Sequence, residues 1–116
     1  MNNIKIAENF YLREFECRDG SHQVMLHSEL LRRLQQLRTL LDRPVIITSG
    51  YRNPEHNRRV GGAPHSYHLR GMAADITVQG IEPQVLAEAA EKCGFRGIGI
   101  YEGFLHVDTR AQSSRW

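Results

Sequence analysis

Between residues 28 and 42 the apolar positions Leu30, Leu34, Leu37 and Leu41 recur at three- and four-residue intervals, joined by Leu31 and Leu40. That spacing gathers them on one face of an α-helix and predicts a helix from Ser28 to Asp42. Ser28 stands where an N-cap is needed, Glu29 falls in the first turn, and Pro44 closes the element. The leucine stripe reads as core packing. After it the period changes. Val45 to Thr48 is a short β-branched run and predicts a strand. Met72 to Val78 predicts a second strand. Pro83 to Cys93 predicts a helix, with proline at its first position and Gly94 just past its end. Gly97–Tyr101 and Phe104–Thr109 predict a hairpin turning on Glu102-Gly103. In its second strand Leu105 and Val107 face one way, and Phe104, His106 and Asp108 the other.

Between these elements lies SGYRNPEHNRRVGGAPHSYHLRG, residues 49–71, rich in Gly, Pro and Asn and without periodicity. A loop this long in a small domain is usually functional. Residues 4–20 predict an irregular arm with a short helix, packed on the core through Ile4, Ile6, Phe10, Leu12 and Phe15. From Ala111 onward the chain is expected to fray. The order of elements predicts an α+β fold, an antiparallel sheet backed by helices, in a single domain spanning residues 1–116.

Composition narrows the function classes. A length of 116 residues and a 41% apolar share support one modest core. The formal net charge of +2 lacks the clustered Lys/Arg footprint of a nucleic-acid binder, yet suits approach to an anionic polymer. Cys17 and Cys93 form no CxxC and are expected to be free, buried thiols. No apolar run approaches the ~18 residues of a membrane span. MNNIKIAENFYLREF has no apolar h-region, so no secretory signal is expected. A monomer is expected.

The candidate chemistry rests on three residues. Asp75 interrupts the apolar run MAADITV, where a carboxylate is costly unless paired or bound to a metal. Its face of the strand carries Ala73 and Thr77, small neighbours that leave room for a ligand. An ion pair with one of the arginines would also explain it. His106 by itself would read as a structural histidine. In combination, His68, Asp75 and His106 supply the N and O ligands that zinc accepts, and three protein ligands leave one position open, the catalytic pattern.

SYHLRGMAADI fits the motif Ser-x-His-x-x-Gly-x-Ala-x-Asp, and HVD follows about thirty residues later. With the upstream SGYRNPEHNRRVGG, the chain from about Val45 to Arg110 resembles the zinc D-alanyl-D-alanine carboxypeptidases and L-alanyl-D-glutamate endopeptidases. These share a fold with the hedgehog signalling domain, and the EFECRDG arm fits their small, single-domain branch. The resemblance implies that His68, Asp75 and His106 bind Zn2+. It implies that Arg52, the arginine of SGYR, holds the substrate carbonyl and stabilises an oxyanion. It implies a substrate contact or supporting role for Ser66, whose hydroxyl would otherwise bond local backbone. Arg58, Arg59 and Arg70 have no such role and read as surface.

In one respect the chain departs from the pattern. The resemblance places an Asp or Glu, the general base, three residues before the second zinc histidine, and here that residue is Gly103. Glu102 and Asp108 are the nearby carboxylates. Glu102 at the turn is the expected base; Asp108 is expected to accept a hydrogen bond from His106 or a neighbour. The implied function is a zinc metallopeptidase hydrolysing D-residue-containing peptides of the peptidoglycan stem or cross-bridge. Such an enzyme would reach the cell wall after release by lysis, as a phage endolysin does. The alternatives are a non-catalytic, zinc-containing module that binds cell wall or a protein, or a structural part of a phage.

Overall fold

The computed structural model describes residues 1–116, and the alternation read along HVD sets its central geometry. Leu105 and Val107 have no exposed surface and lie in the core, while His106 and Asp108 project from the opposite face of the same strand. Ten elements follow one another along the chain. They are β1 (Lys5–Ala7), β2 (Phe10–Tyr11), α1 (Ser28–Leu41), β3 (Ile46–Ser49), α2 (Pro54–Arg59), β4 (Ala73–Thr77), α3 (Pro83–Lys92), β5 (Gly97–Tyr101), β6 (Phe104–Asp108) and β7 (Ser114–Arg115).

β1 and β2 form a small ribbon of their own. The other five strands make one sheet in the order β3-β4-β6-β5-β7. Every pairing in that sheet is antiparallel except β5 with β7, which is parallel. The fold is thus α+β, as expected, with one parallel edge added. On the core face Ala74, Ile76, Ile98, Leu105 and Val107 meet Leu30, Leu34 and Leu37 of α1 and Leu86, Ala87 and Ala90 of α3. Phe10 and Phe15 of the arm close that core with ring centroids 5.9 Å apart. Both cysteines are free and buried. No helix is long and apolar enough to cross a membrane.

The opposite face carries a row of paired residues running across four strands. Ser49 stands opposite Asp75, Asp75 opposite His106, and His106 opposite Gly99. Two glycines of β5 open space on this face. A Cβ at Gly97 would overlap the Asp108 carboxylate, and one at Gly99 would lie 2.6 Å from the Trp116 ring. Glycine within a strand marks such close approaches.

Three expectations are corrected. The α1 N-cap is His27, not Ser28, and no side chain caps it; Ser28 is already helical because the His27 carbonyl accepts from Leu31 N. The loop of residues 49–71 holds α2 and a 3-10 turn, Tyr67–Arg70, each begun by a capping side chain, Asn53 and Ser66. Finally, the segment after Ala111 does not fray. Ser114 N bonds Arg96 O, Trp116 N bonds Ile98 O, and Ile100 N bonds Trp116 O, which makes β7 the last strand of the sheet. Periodicity could not reveal a two-residue strand whose order comes from backbone pairing with β5 and from the indole packing over Gly99.

Gly97→Ala should lower stability by about 1–3 kcal/mol, because the new methyl must displace a fully buried, ion-paired carboxylate. Ile46→Ala, on the exposed face of β3, should stay within about 0.5 kcal/mol. Denaturant midpoints of the two variants decide this; equal midpoints would show that Asp108 is not held as the geometry says.

Candidate metal centre

Each of the three candidate ligands is presented by a different device. His68 sits on the 3-10 turn Tyr67–Arg70. Ser66 starts that turn by accepting a hydrogen bond from His68 N (3.1 Å), and Gly71 ends it at φ 69°, a conformation that favours glycine. A Cβ on Gly71 would also press on the Met25 carbonyl. Asp75 lies mid-strand in β4 and His106 mid-strand in β6, directly paired. All three are buried, with 2%, 7% and 9% of their surfaces exposed.

The ligand atoms of the three side chains lie within 4.8 Å of one another. Asp75 Oδ1 is 3.1 Å from His68 Nε2 and 3.1 Å from His106 Nδ1. The far nitrogen of each ring is already engaged. His68 Nδ1 is 2.7 Å from the Gly50 carbonyl, which can only accept, so Nδ1 carries the proton and Nε2 presents its lone pair inward. His106 Nε2 is 2.7 Å from Asp108 Oδ2, which leaves Nδ1 for the centre. An acceptor behind each histidine, fixing tautomer and ring direction, is the support a metal-bound imidazole needs.

Charge around the centre is dense and balanced. Burial alone would raise the Asp75 pKa, but the His106 and His68 rings that face it outweigh that and hold the carboxyl far below its usual range. Burial would likewise raise Asp108, and Arg110 and His106 overcome it in the same direction. Burial would lower His106, yet Asp108 and Asp75 raise it. Two imidazole nitrogens and one carboxylate oxygen, each oriented beforehand, match the donor set of an open zinc site.

The supporting residues are placed as follows. Arg52 reaches the same centre: Nη2 donates to Asp75 Oδ2 (3.2 Å), Nε to Ser49 Oγ (3.1 Å) and Nη1 to Asn57 Oδ1 (3.3 Å). Thus the ion pair with an arginine and the metal arrangement occur together at Asp75. Ser66 lines the pocket while its oxygen caps the His68 turn. Asp108 is fully enclosed, its carboxylate engaged by His106 and by Arg110. Glu102 is exposed at the hairpin turn between Tyr101 and Phe104; those two neighbours line the pocket and Glu102 does not.

The pocket over the three ligands has a volume of about 510 Å³. Sequence reasoning missed much of its wall. Tyr67, Tyr101, Phe104, Arg110 and Trp116 all line it. Trp116 Nε1 donates to the Tyr101 hydroxyl (2.7 Å), and the Trp116 ring lies 5.3 Å from that of His106. The sequence signal for this wall is the GIGIY strand, whose glycines leave its outer face free for a large neighbour.

Comparison with known proteins agrees with this geometry. The profile of the peptidase M15 family matches residues 6–108. The chain is 35% identical over 89 residues to peptidoglycan L,D-endopeptidase MepK of Escherichia coli K12, covering 69% of this chain and 49% of MepK. It is 37% identical over 67 residues to zinc D-Ala-D-Ala carboxypeptidase of Streptomyces albus G, covering 57% of this chain and 26% of that protein. The probable MepK of Haemophilus influenzae is 36% identical over 70 residues, 54% of this chain and 38% of that protein. The chain therefore spans half or less of the length of these relatives. With a profile match that takes in the arm, the SGYR segment and all three candidate ligands, the chain belongs to the M15 peptidase family.

Proposed function

We propose that this domain is a zinc-dependent peptidase acting on peptide bonds of bacterial peptidoglycan. The observation that carries the reading is the convergence of His68 Nε2, Asp75 Oδ1 and His106 Nδ1 at the floor of an open pocket. The substrate class rests on the relatives, which are named for peptidoglycan and D-Ala-D-Ala peptides. Zinc held there supplies Lewis-acid chemistry, polarising a carbonyl and lowering the pKa of a water towards ~7.

The chain's own groups do the rest. The Gly50 carbonyl and Asp108 keep the two imidazoles aimed inward. Arg52 fixes the second oxygen of Asp75, and its three bonds leave two guanidinium protons for a substrate oxygen that gains negative charge. Ser66, whose oxygen accepts from His68 N, retains its own proton for a substrate carbonyl. Glu102 is the proton carrier in this reading: its carboxylate takes the proton of the attacking water and returns it to the leaving amine. Support for Glu102 comes from its place between two pocket-lining residues and from Asp108 being engaged elsewhere.

A second reading, a zinc-containing module that binds wall peptide without cutting it, is favoured by one observation. The only side-chain carboxylate lining the pocket is that of Asp75, and both its oxygens are engaged. Digestion of purified sacculi separates the two. Release of new amine ends supports the peptidase; binding without release supports the module.

Purified protein should carry about one zinc per chain, and His68→Ala, Asp75→Ala and His106→Ala should each lose it. Full zinc by metal analysis in any of the three would refute the ligand assignment. Arg52→Ala should still take up zinc at saturating metal but lower kcat about a hundredfold, the usual loss for an oxyanion donor. An unchanged kcat would reduce Arg52 to a brace for Asp75. Glu102→Gln should retain zinc and lose at least about a hundredfold in rate. Near-full hydrolysis in that variant would move proton transfer to another group, with Asp108→Asn and Tyr101→Phe the next to assay.

A further inference from the structure

Five polar or charged residues are buried in this protein, and four of them, His68, Asp75, His106 and Asp108, build the metal centre and its support. The fifth is Asn57 of α2. Its amide meets two groups that cannot exchange roles. Arg52 Nη1 can only donate, and it donates to Asn57 Oδ1 (3.3 Å). The Ala63 carbonyl can only accept, and it accepts from Asn57 Nδ2 (2.9 Å). The main chain of Asn57 adds a third bond, its carbonyl accepting from Gly62 N (2.8 Å). Gly62 completes the fit: a Cβ there would overlap Asn57 Oδ1 and lie 2.9 Å from Arg52 Nη1. Residues 60–65 line the pocket, and Asn57 is the one side chain that hydrogen-bonds any of them.

Each nitrogen of the Arg52 guanidinium has its own anchor. Ser49 and Asp75 hold Nε and Nη2 from the sheet, and Asn57 holds Nη1 from outside it. Two anchors on the sheet define a line about which the group can still tilt. The third, off the sheet, removes that freedom. We propose that Asn57 is a positioning residue that fixes the tilt of Arg52 and ties it to the pocket wall at Ala63, so that guanidinium and wall form one rigid unit. The direction of the two protons that Arg52 turns towards substrate is then set by Asn57, and a misdirected donor loses rate. This rests on the reading of Arg52 as the donor to a substrate oxygen that gains charge. Residue type matters here: a carboxylate could accept from Nη1 but not donate to Ala63, and an apolar side chain could do neither.

The test is a double-mutant cycle on the zinc-loaded protein, with amine release from purified sacculi as the rate and zinc content checked in each variant. Asn57→Ala should lower the rate about tenfold or more, the effect of losing a hydrogen bond to a charged group. Added to Arg52→Ala, it should deepen that loss by less than about twofold, because its effect passes through Arg52. Asn57→Asp keeps the acceptor for Nη1 and should return the rate to within about threefold of wild type. If Asn57→Ala has no cooperative melt, Gly62→Ala replaces it in the cycle: its methyl pushes the amide off Nη1 and should cost the same. A second readout needs no turnover. In nitrogen-edited NMR spectra the two Arg52 Nη1 protons should give separate signals in wild type and one averaged signal in Asn57→Ala, or in Gly62→Ala where that replaces it. Losses that multiply in the double variant would overturn the proposal. So would Asn57→Asp no faster than Asn57→Ala, or Nη1 signals that the substitution leaves unchanged. Wild type that releases no amines, with the Nη1 signals behaving as described, would remove the peptidase reading and keep the placement of Arg52 by Asn57.

Discussion

The pairing of β4 with β6 is the constraint on which the rest depends. It sets Asp75 opposite His106 on one face and Ala74 opposite Val107 on the other. Side chains alternate with a period of two, so a slip of one residue would turn His106 and Asp108 into the core and Leu105 and Val107 into the pocket. The core forbids that slip: burying two ionisable groups among leucines is far costlier than any local adjustment. The hydrophobic effect, acting on the back of the sheet, therefore holds the chemical groups on its front. His68 joins them from outside the sheet, and its position depends on Gly50, whose carbonyl receives the ring and where a Cβ would clash with the backbone of Phe15.

Behind the three ligands stands a second arrangement of charges without which the first would be unstable. Asp108 has no exposed surface and meets a histidine on one side and an arginine on the other. Breaking a buried pair of this kind by removing one partner leaves a charge with nothing to answer it, at a cost of several kcal/mol. The glycine opposite Asp108 in β5 is part of the same solution, because any side chain there would take the carboxylate's place.

Much of this is legible in the sequence. The leucine stripe of α1, the proline and glycine bounding α3 and the alternation of Leu105 and Val107 each report a local periodicity that burial alone enforces. His68, Asp75 and His106 are visible by residue type and by the spacing of two short motifs. What stays hidden depends on contacts between distant segments. No local pattern says that Trp116 will cover His106, since the β7 segment is two residues long and pairs with a strand seventeen positions earlier. The partner of Asp75 Oδ2 is likewise unreadable among so many arginines until β3 is laid beside β4. Glu102 illustrates the opposite case: its nearness in sequence to His106 is plain, but the turn sets its side chain in solvent.

Trp116 is the only tryptophan in the chain, and its ring lies 5.3 Å from the His106 ring. Indole emission responds to the charge and hydrogen bonding of whatever it touches. Here the neighbouring imidazole carries a proton, a metal or neither, and a guanidinium lies 4.8 Å from the indole ring. The protein therefore contains an intrinsic fluorophore at the wall of its own pocket, with no second tryptophan to obscure it. Occupancy of the centre can be followed optically in the unlabelled, unmodified chain.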